Sequence, residues 1–168
     1  MNKTSVHADS LCPFCRKDNL AKAFLKTPYF SAIYNIAPVV PGHSLVIPNN
    51  HTRSLFDLTE QELGEMMVFA RRVTSVLKTV FGCDGFDWSI QDGESAGQTI
   101  PHLHLHIIPR KPSDIPVSEE WYSKLSDNNN KMLDSQQRER LGEVEYDAIT
   151  DKLTLASARF MQEEKPNP

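Results

Sequence analysis

The stretch PHLHLHIIPR, residues 101–110, places a histidine at every second position between aliphatic residues. Because successive side chains of a strand point to opposite faces, His102, His104 and His106 would share one face and the aliphatic residues the other. The segment therefore predicts a strand with one face in the core and three imidazoles on the other. An ordinary alternating strand, or a simple His-x-His metal site that leaves one histidine without a role, is a weaker interpretation.

Three aligned imidazoles suit attack on a phosphorus centre when the work is divided among them. A neutral imidazole is a good nucleophile near pH 7 and can form a covalent phosphoramidate, provided that an acceptor holds its other ring nitrogen as N–H. A neighbouring histidine can donate a hydrogen bond to the phosphoryl oxygens as charge develops there. Backbone N–H groups of a glycine-bearing loop can do the same, and GESAGQT, residues 93–99, comes immediately before the histidines.

The composition limits the kinds of partner. The chain has 168 residues, enough for one ordinary core, and 39% of them are hydrophobic. Its net charge of -4 and scattered basic residues disfavour a nucleic-acid polymer as partner, but not a small phosphorylated ligand. No apolar run approaches a membrane span, and the first residues lack the apolar stretch of a signal peptide. We therefore expect a soluble, cytoplasmic protein without a membrane partner.

The rest of the sequence predicts an α+β domain with an antiparallel sheet. Strands are expected at residues 29–36, 44–47 and 85–91 and at the histidine segment, and the first two should form a hairpin. A long amphipathic helix is expected after Thr59, the first residue of a Thr-x-x-Glu capping box, and should end before Gly82. Met66, Met67 and Trp88 are expected in the core, and Cys83 should be inert.

Two parts of the chain are distinguished by a polar break, SDNNNK. Residues 1–125 are predicted to form the domain, and residues 126–168 a helical C-terminal extension. This extension could cover the sheet, join a dimer or gate the site. Its candidate apolar contacts are Leu141, Val144, Ile149, Leu153 and Phe160.

The histidine segment resembles the signature of the histidine-triad superfamily of nucleotide hydrolases and transferases. HLHLHII matches the pattern His-x-His-x-His-x-x with an apolar residue at each x. PVVPGHSLVIP, QDGESAGQT and IIPRK are similar to stretches of the fragile-histidine-triad branch, which hydrolyses dinucleoside polyphosphates. The resemblance covers about residues 29–125. It implies a sheet of about five strands with one long helix, and a homodimer in which sheet edges continue between subunits.

The same resemblance implies roles for individual residues. His104 would be the nucleophile that takes the nucleoside monophosphate, and His106 would contact the α-phosphate. His43 would support the triad and Asn35 would hold the ribose, although the residues alone also allow a plain turn and a plain strand end there. Gln98 or Gln91 would meet the oxygen of the scissile bond. The full set of implied nucleotide contacts is Asn35, Gln91, Gly97, Gln98, Thr99, Ile100, His106 and Tyr122.

The third histidine distinguishes hydrolases from transferases within the superfamily. The galactose-1-phosphate uridylyltransferase branch resembles this pattern with glutamine at that position, whereas His106 favours water as the final acceptor. The expected reaction is cleavage of a substrate such as diadenosine triphosphate to AMP and ADP through an adenylyl-histidine. A nucleoside phosphoramidase, an adenylyl-conjugate hydrolase and a nucleotide-binding signalling module remain alternatives.

The sequence CPFC, residues 12–15, marks a second candidate site. A Cys-x-x-Cys pair can bind a metal or take part in redox chemistry, but the thioredoxin-like βαβ context of a redox pair is missing. In zinc-bearing members of the superfamily that this chain resembles, a histidine after the second hairpin strand and the first triad histidine complete the pair. The resemblance thus implies a structural Zn²⁺ held by Cys12, Cys15, His51 and His102.

Overall fold

The computed structural model describes residues 11–112 and 138–163. The protein is built on one five-stranded sheet with the strand order β1-β2-β3-β5-β4, in which all neighbours are antiparallel. The strands are β1 (Leu25–Lys26), β2 (Phe30–Tyr34), β3 (Ser44–Pro48), β4 (Gly85–Ile90) and β5 (Leu105–Arg110). The helices are α1 (Lys17–Ala21), α2 (Glu60–Phe81) and α3 (Glu143–Glu163). The predicted α+β class is confirmed, and within the described residues no helix is long and apolar enough to cross a membrane.

The predicted hairpin of β2 and β3 is closed by a turn that requires glycine. Gly42 has a φ of +95°, and a Cβ atom there would lie 2.7 Å from Pro109 Cγ and 3.0 Å from the ring of Phe81. Only glycine tolerates both this backbone conformation and this close approach. The turn leads His43 directly into β3, which pairs with β5.

Helix α2 is the predicted amphipathic helix and covers one face of the sheet. Thr59 and Glu62 form the expected capping box, and Gly82 ends the helix in the left-handed conformation with a φ of +62°. Its buried residues are Met66, Phe69, Ala70, Val73, Val76 and Leu77. Met66 thus lies in the core as predicted, and Met67 packs against the same cluster while partly buried.

Helix α3 lies beside α2 and also contacts β2, so the C-terminal segment covers the sheet. The residues that join the core are Leu141, Ile149, Leu153 and Phe160. The hydroxyl of Tyr146 donates a hydrogen bond to the carbonyl of Tyr34 at 3.0 Å. The predicted contact at Val144 is wrong: this side chain is 85% exposed because it lies half a turn around the helix from Leu153. The domain division at residue 125 falls outside the described residues and stays a prediction.

The strand that contains the histidine segment begins later in the chain than predicted. Strand β5 begins at Leu105, so His102 and His104 precede the hydrogen-bonded ladder. The reason is that β3 ends at Pro48, which has no N–H to offer, while the Pro48 carbonyl is bonded by the ring of His102 at 3.0 Å. The alternation of faces nevertheless continues through this stretch. The aliphatic residues in the core on the α2 side are Leu103, Leu105 and Ile107.

The prediction that Trp88 is a core aromatic is wrong. Trp88 is 39% exposed, because β4 is an end strand of the sheet and the indole lies at the margin of α2. Its ring N–H donates a hydrogen bond to the hydroxyl of Thr74 at 3.2 Å. The indole therefore joins β4 to α2 without being enclosed.

Candidate active site and metal-ligand cluster

The three triad histidines lie on the sheet face opposite α2, and all three are buried. His104 is only 1% exposed, and its ring centroid lies 4.9 Å from that of His106. The hairpin brings His43 to the end of the same row, with its ring centroid 5.2 Å from His106. The structure thus brings together His104, His106 and His43, three of the residues that the sequence nominated for catalysis.

Hydrogen bonds fix the protonation of His43 and His106. The backbone N–H of Val39 donates to Nδ1 of His43 at 3.1 Å, so the His43 proton must lie on Nε2. This Nε2 is 2.9 Å from Nδ1 of His106, which therefore accepts the hydrogen bond. His106 in turn carries its own proton on Nε2. The relay makes His106 a hydrogen-bond donor through the nitrogen remote from His43.

His104 has the tautomer of a nucleophile. Its Nδ1 lies 2.6 Å from the carbonyl oxygen of His102, which can only accept, so the proton of His104 lies on Nδ1. The lone pair is therefore on Nε2. The sequence-based requirement that an acceptor should hold the second ring nitrogen is met by the backbone of the triad segment itself.

Asn35 follows β2 and is held beside His43. Its Oδ1 accepts the N–H of Ala37 at 2.9 Å, which directs Nδ2 towards His43. The 3.4 Å approach between Asn35 Nδ2 and His43 Nε2 joins two N–H groups, because the His43 proton is on Nε2, so we regard it as a contact and not as a hydrogen bond. The amide of Asn35 is thus presented near the histidines in a fixed orientation.

The two glutamines nominated for the scissile-bond oxygen differ in their surroundings. Both ends of the Gln98 amide hold loops together: Oε1 accepts the N–H of Gly93 at 2.8 Å, and Nε2 donates to the carbonyl of Arg53 at 3.0 Å. Gln91 follows β4 on the histidine side, since Ser89 pairs with His106 two residues earlier. Its Oε1 is buried and has no hydrogen-bond partner among the described residues.

A cavity of about 870 Å³ lies next to the histidine site. No histidine is among the described residues that line it, but the lining residues Phe14 and Asn35 contact His104 and His43. The lining combines apolar side chains with polar groups such as Lys22 and Tyr146. Other lining residues are Ile33, Leu45, Thr99 and Ile100. Phe14 was not predicted from the sequence to belong to the site, although its position between Cys12 and Cys15 is a signal that could have indicated it. The buried ring of Phe14 lies 5.3 Å from that of His104, measured between centroids.

The four predicted metal ligands form one cluster. The ligand atoms of Cys12, Cys15, His51 and His102 all lie within 4.8 Å of one another. Nδ1 of His102 is 3.4 Å from the Cys12 thiol and 3.6 Å from the Cys15 thiol, and Nδ1 of His51 is 3.3 Å from the Cys15 thiol. Two thiols and two imidazoles are a donor set that suits tetrahedral Zn²⁺.

The ring of His102 is prepared for a metal. Its Nε2–H donates to the Pro48 carbonyl at 3.0 Å, which leaves the Nδ1 lone pair facing the two thiols. Burial lowers the pKa of His102 to about 4, although the hydrogen bond to Pro48 opposes the shift. The imidazole is therefore neutral at pH 7, as a metal ligand must be.

A sequence model of the HIT domain matches residues 16–113. This chain belongs to the HIT domain family. The HIT match includes every described histidine of the site, whereas Cys12, Cys15 and α3 lie outside it. The expected resemblance to histidine-triad proteins is confirmed.

The chain is similar to two named relatives and to one solved structure. The asymmetrical bis(5'-nucleosyl)-tetraphosphatase of Schizosaccharomyces pombe is 40% identical over 112 residues, which are 67% of this chain and 62% of that protein. This chain thus spans less than two thirds of that relative. The bis(5'-adenosyl)-triphosphatase of Dictyostelium discoideum is 39% identical over 105 residues, which are 62% of this chain and 70% of the relative. A Zn-bound histidine triad family protein from Mycobacterium smegmatis has a TM-score of 0.61 at 26% identity, covering 85% of this chain and 88% of that one.

One nominated residue falls outside the described residues. Tyr122 was expected to reach the nucleotide from the segment after the triad, and this segment is not described.

Gly97, the residue after a short 3₁₀ turn (Glu94–Ala96), has a φ of +92°. This left-handed backbone conformation favours glycine at position 97.

Proposed function

We propose that this chain hydrolyses dinucleoside polyphosphates, such as diadenosine triphosphate, through a covalent nucleotidyl-histidine. The observation that carries the proposal is the 2.6 Å hydrogen bond from Nδ1 of His104 to the His102 carbonyl, because it leaves a nucleophilic lone pair on Nε2. The names of the Schizosaccharomyces pombe and Dictyostelium discoideum relatives support this class of substrate.

In the first step, Nε2 of His104 attacks the α-phosphorus and forms an N–P bond. The bond between that phosphorus and the bridging oxygen breaks, and ADP leaves with the electron pair. His106 donates its Nε2 proton in a hydrogen bond to a non-bridging oxygen as negative charge develops. The His102 carbonyl disperses the positive charge on His104 by accepting a stronger hydrogen bond from Nδ1.

In the second step, water attacks the same phosphorus and the N–P bond breaks. AMP is released, His104 regains its lone pair, and the proton from water passes to solvent. The sum of the two steps is diadenosine triphosphate plus water giving AMP, ADP and the proton released to solvent. Of the two glutamines, Gln91 is the better candidate for the scissile-bond oxygen, because the Gln98 amide is already occupied by loop contacts at both ends.

The nucleoside half of the substrate would occupy the cavity beside the histidines. We assign the ribose to Asn35, whose amide is fixed by Ala37, and the base to the apolar wall. The loop at residues 97–100 would offer its backbone N–H groups to the phosphates. Tyr122, which lies outside the described residues, would contribute a further contact to the nucleotide.

The test is product analysis with a matched control. Wild-type protein, His104→Ala and Leu155→Ala should be incubated with diadenosine triphosphate and the products separated by chromatography. Leu155 is the control because its side chain is 64% exposed on α3 and does not line the cavity. We expect AMP and ADP from the wild type and from Leu155→Ala, and a rate at least about a thousandfold lower from His104→Ala. Absence of hydrolysis by folded wild-type protein would overturn the substrate class, and cleavage of a nucleoside phosphoramidate in the same assay would replace it.

We also propose that the cluster of Cys12, Cys15, His51 and His102 holds a structural zinc ion. Such an ion would tie the N-terminal segment to the triad segment and take no part in the chemistry. Cys12→Ser should lose the metal and lower the melting temperature, as measured by elemental analysis and calorimetry. Cys83→Ser is the matched control, because Cys83 is buried away from the cluster, where burial raises the pKa of its thiol. One zinc per chain in both variants would contradict the assignment.

Strand β4 is the proposed interface of a homodimer. Its outer edge has no strand partner among the described residues, and its residue Trp88 is 39% exposed. Two copies could therefore continue the sheet edge to edge. Light scattering after size-exclusion chromatography should give twice the monomer mass, and a monomer at micromolar concentration would contradict the proposal. A cytoplasmic location would keep the ligand thiols reduced and is proposed with it.

A further inference from the structure

Phe14 lies between the metal-ligand cluster and the cavity next to the triad. It lies between the metal-ligand candidates Cys12 and Cys15, and its ring is buried. The edge of this ring meets two triad histidines, with centroid distances of 5.6 Å to His102 and 5.3 Å to His104. The same ring lines the cavity beside the triad. One side chain thus touches the metal-ligand cluster, the candidate nucleophile and the cavity wall.

The segment that carries Phe14 is held in place by two kinds of contact. Thiol–imidazole contacts join Cys12 and Cys15 to His51 and His102 at 3.3 to 3.6 Å. Apolar packing joins Cys12 and Phe14 to Ile33, Leu45 and Ile47. The backbone hydrogen bond from Cys15 N–H to the Cys12 carbonyl, at 3.1 Å, is local and shapes the turn itself. The position of Phe14 therefore depends on the four metal-ligand candidates as well as on apolar packing.

A metal ion would replace these thiol–imidazole contacts by coordinate bonds, which restrict the turn more strongly. Two of the four candidate ligands come from the turn, and the other two come from segments that flank the sheet, with His51 after β3 and His102 before β5. Coordination would fix the turn relative to the strands and, with it, the ring of Phe14. The ring contacts then extend this constraint to His104 and to the wall of the cavity.

We propose that Phe14 is a positioning residue that couples metal binding at the cluster to nucleotide binding in the cavity. The inference rests on the proposed function, because it takes the cavity to be the nucleotide site. Zinc would restrict Phe14 to the position in which it completes the apolar wall, so that the nucleotide need not order this segment when it binds. Because coupling between two binding sites is reciprocal, the nucleotide must strengthen zinc binding by the same factor.

The experiment measures this factor from both sides. AMP affinity is determined by calorimetry for protein loaded with one zinc and for protein stripped with EDTA. Zinc affinity is determined by competition with a chromophoric chelator, with and without saturating AMP. We expect a change of about tenfold in each direction, within the range of about 5- to 150-fold that is usual for coupled sites.

Variants of Phe14 separate coupling from the two binding events. Phe14→Ala keeps every metal ligand, so it should still bind zinc, but the tenfold effect of AMP on zinc affinity should fall towards one. Phe14→Leu retains an apolar side chain and should keep part of the effect if the alanine variant is too unstable to measure. Phe56→Ala is the matched control, because Phe56 is 94% exposed, and it should keep the full effect.

The outcomes distinguish this inference from the proposed function. Equal AMP affinity with and without zinc would overturn the coupling and leave the hydrolase proposal intact. Full coupling in both Phe14 variants would overturn the role of this side chain. Absence of AMP binding in both states would overturn the coupling together with the nucleotide site on which it rests.

Discussion

The carbonyl oxygen of His102 accepts the Nδ1 proton of His104 at 2.6 Å, while the ring of His102 turns its own Nδ1 towards the cysteine thiols. A single residue thus joins the metal-ligand cluster to the candidate nucleophile, through its side chain on one side and its backbone on the other. The alternation of the triad segment makes this possible, because residues two apart lie on the same face. The metal cluster can therefore affect the nucleophile without touching the substrate.

The hydrogen bond between His43 and His106 predicts a specific kinetic defect. His43→Ala removes the hydrogen-bond donor that holds His106 in the tautomer with its proton on Nε2. Part of the His106 population then carries the proton on Nδ1 and cannot donate to the phosphoryl oxygen. We expect kcat to fall about 10- to 100-fold with little change in KM, because the lost interaction acts in the transition state. Steady-state kinetics on diadenosine triphosphate provide the measurement. His43→Gln, which can still donate to Nδ1, should recover part of the loss, and an unchanged kcat in the alanine variant would contradict the relay.

Two glycine substitutions should change stability in opposite directions. Gly42→Ala places a Cβ 2.7 Å from Pro109 and forces a side chain onto a residue with a φ of +95°, so we expect a loss of about 2 to 4 kcal/mol in the free energy of unfolding. Gly64→Ala introduces a Cβ at an exposed position of α2, with no neighbouring atom within 4 Å. It should raise the free energy of unfolding by about 0.5 to 1 kcal/mol. Urea denaturation of both variants tests the pair. Equal stabilities would show that the hairpin turn is not as tight as described.

The ionisation of Tyr146, a residue of α3, should make the free energy of unfolding depend on pH. Burial raises the pKa of Tyr146 to about 12 from 10.0, so the neutral phenol favours the folded state. This contribution is complete below pH 10, where the phenol is neutral in both states, and is lost as the pH rises towards 12. Tyr146→Phe cannot ionise, so its stability deficit relative to the wild type should shrink by about 1.4 kcal/mol between pH 8 and pH 11. Denaturation curves at the two pH values measure the change, and a constant deficit would contradict the burial of this phenol.

Several features could be predicted from the sequence because local chemistry determines them. The capping box at Thr59 and the glycine at position 82 set the ends of α2, and its apolar spacing sets the buried face. The Pro-Gly turn predicted the hairpin that carries His43 to the triad. The resemblance to histidine-triad proteins predicted the cluster of cysteines and histidines, whose members are far apart in the chain.

Other features depend on tertiary contacts that no local pattern contains. The late start of β5 follows from the position of Pro48 in a neighbouring strand, and the exposure of Trp88 follows from the place of β4 at the end of the sheet. The amide of Gln98 is occupied by Gly93 and Arg53, and the second of these is a residue from another loop. The position of α3 against α2 could not be predicted either. Its apolar residues were equally compatible with covering the sheet, joining a dimer and gating the site, and only the complete core distinguishes these arrangements.

A covalent bond between Nε2 of His104 and phosphorus should form during turnover, and it can be detected directly. Wild-type protein should be mixed with diadenosine triphosphate, quenched in alkali to preserve an N–P bond, digested and analysed by mass spectrometry. We expect an adenylyl group on His104 in the wild type and none in His104→Ala, whose turnover should be lost. An adenylyl group on a different residue, or normal turnover by His104→Ala, would show that His104 is not the nucleophile.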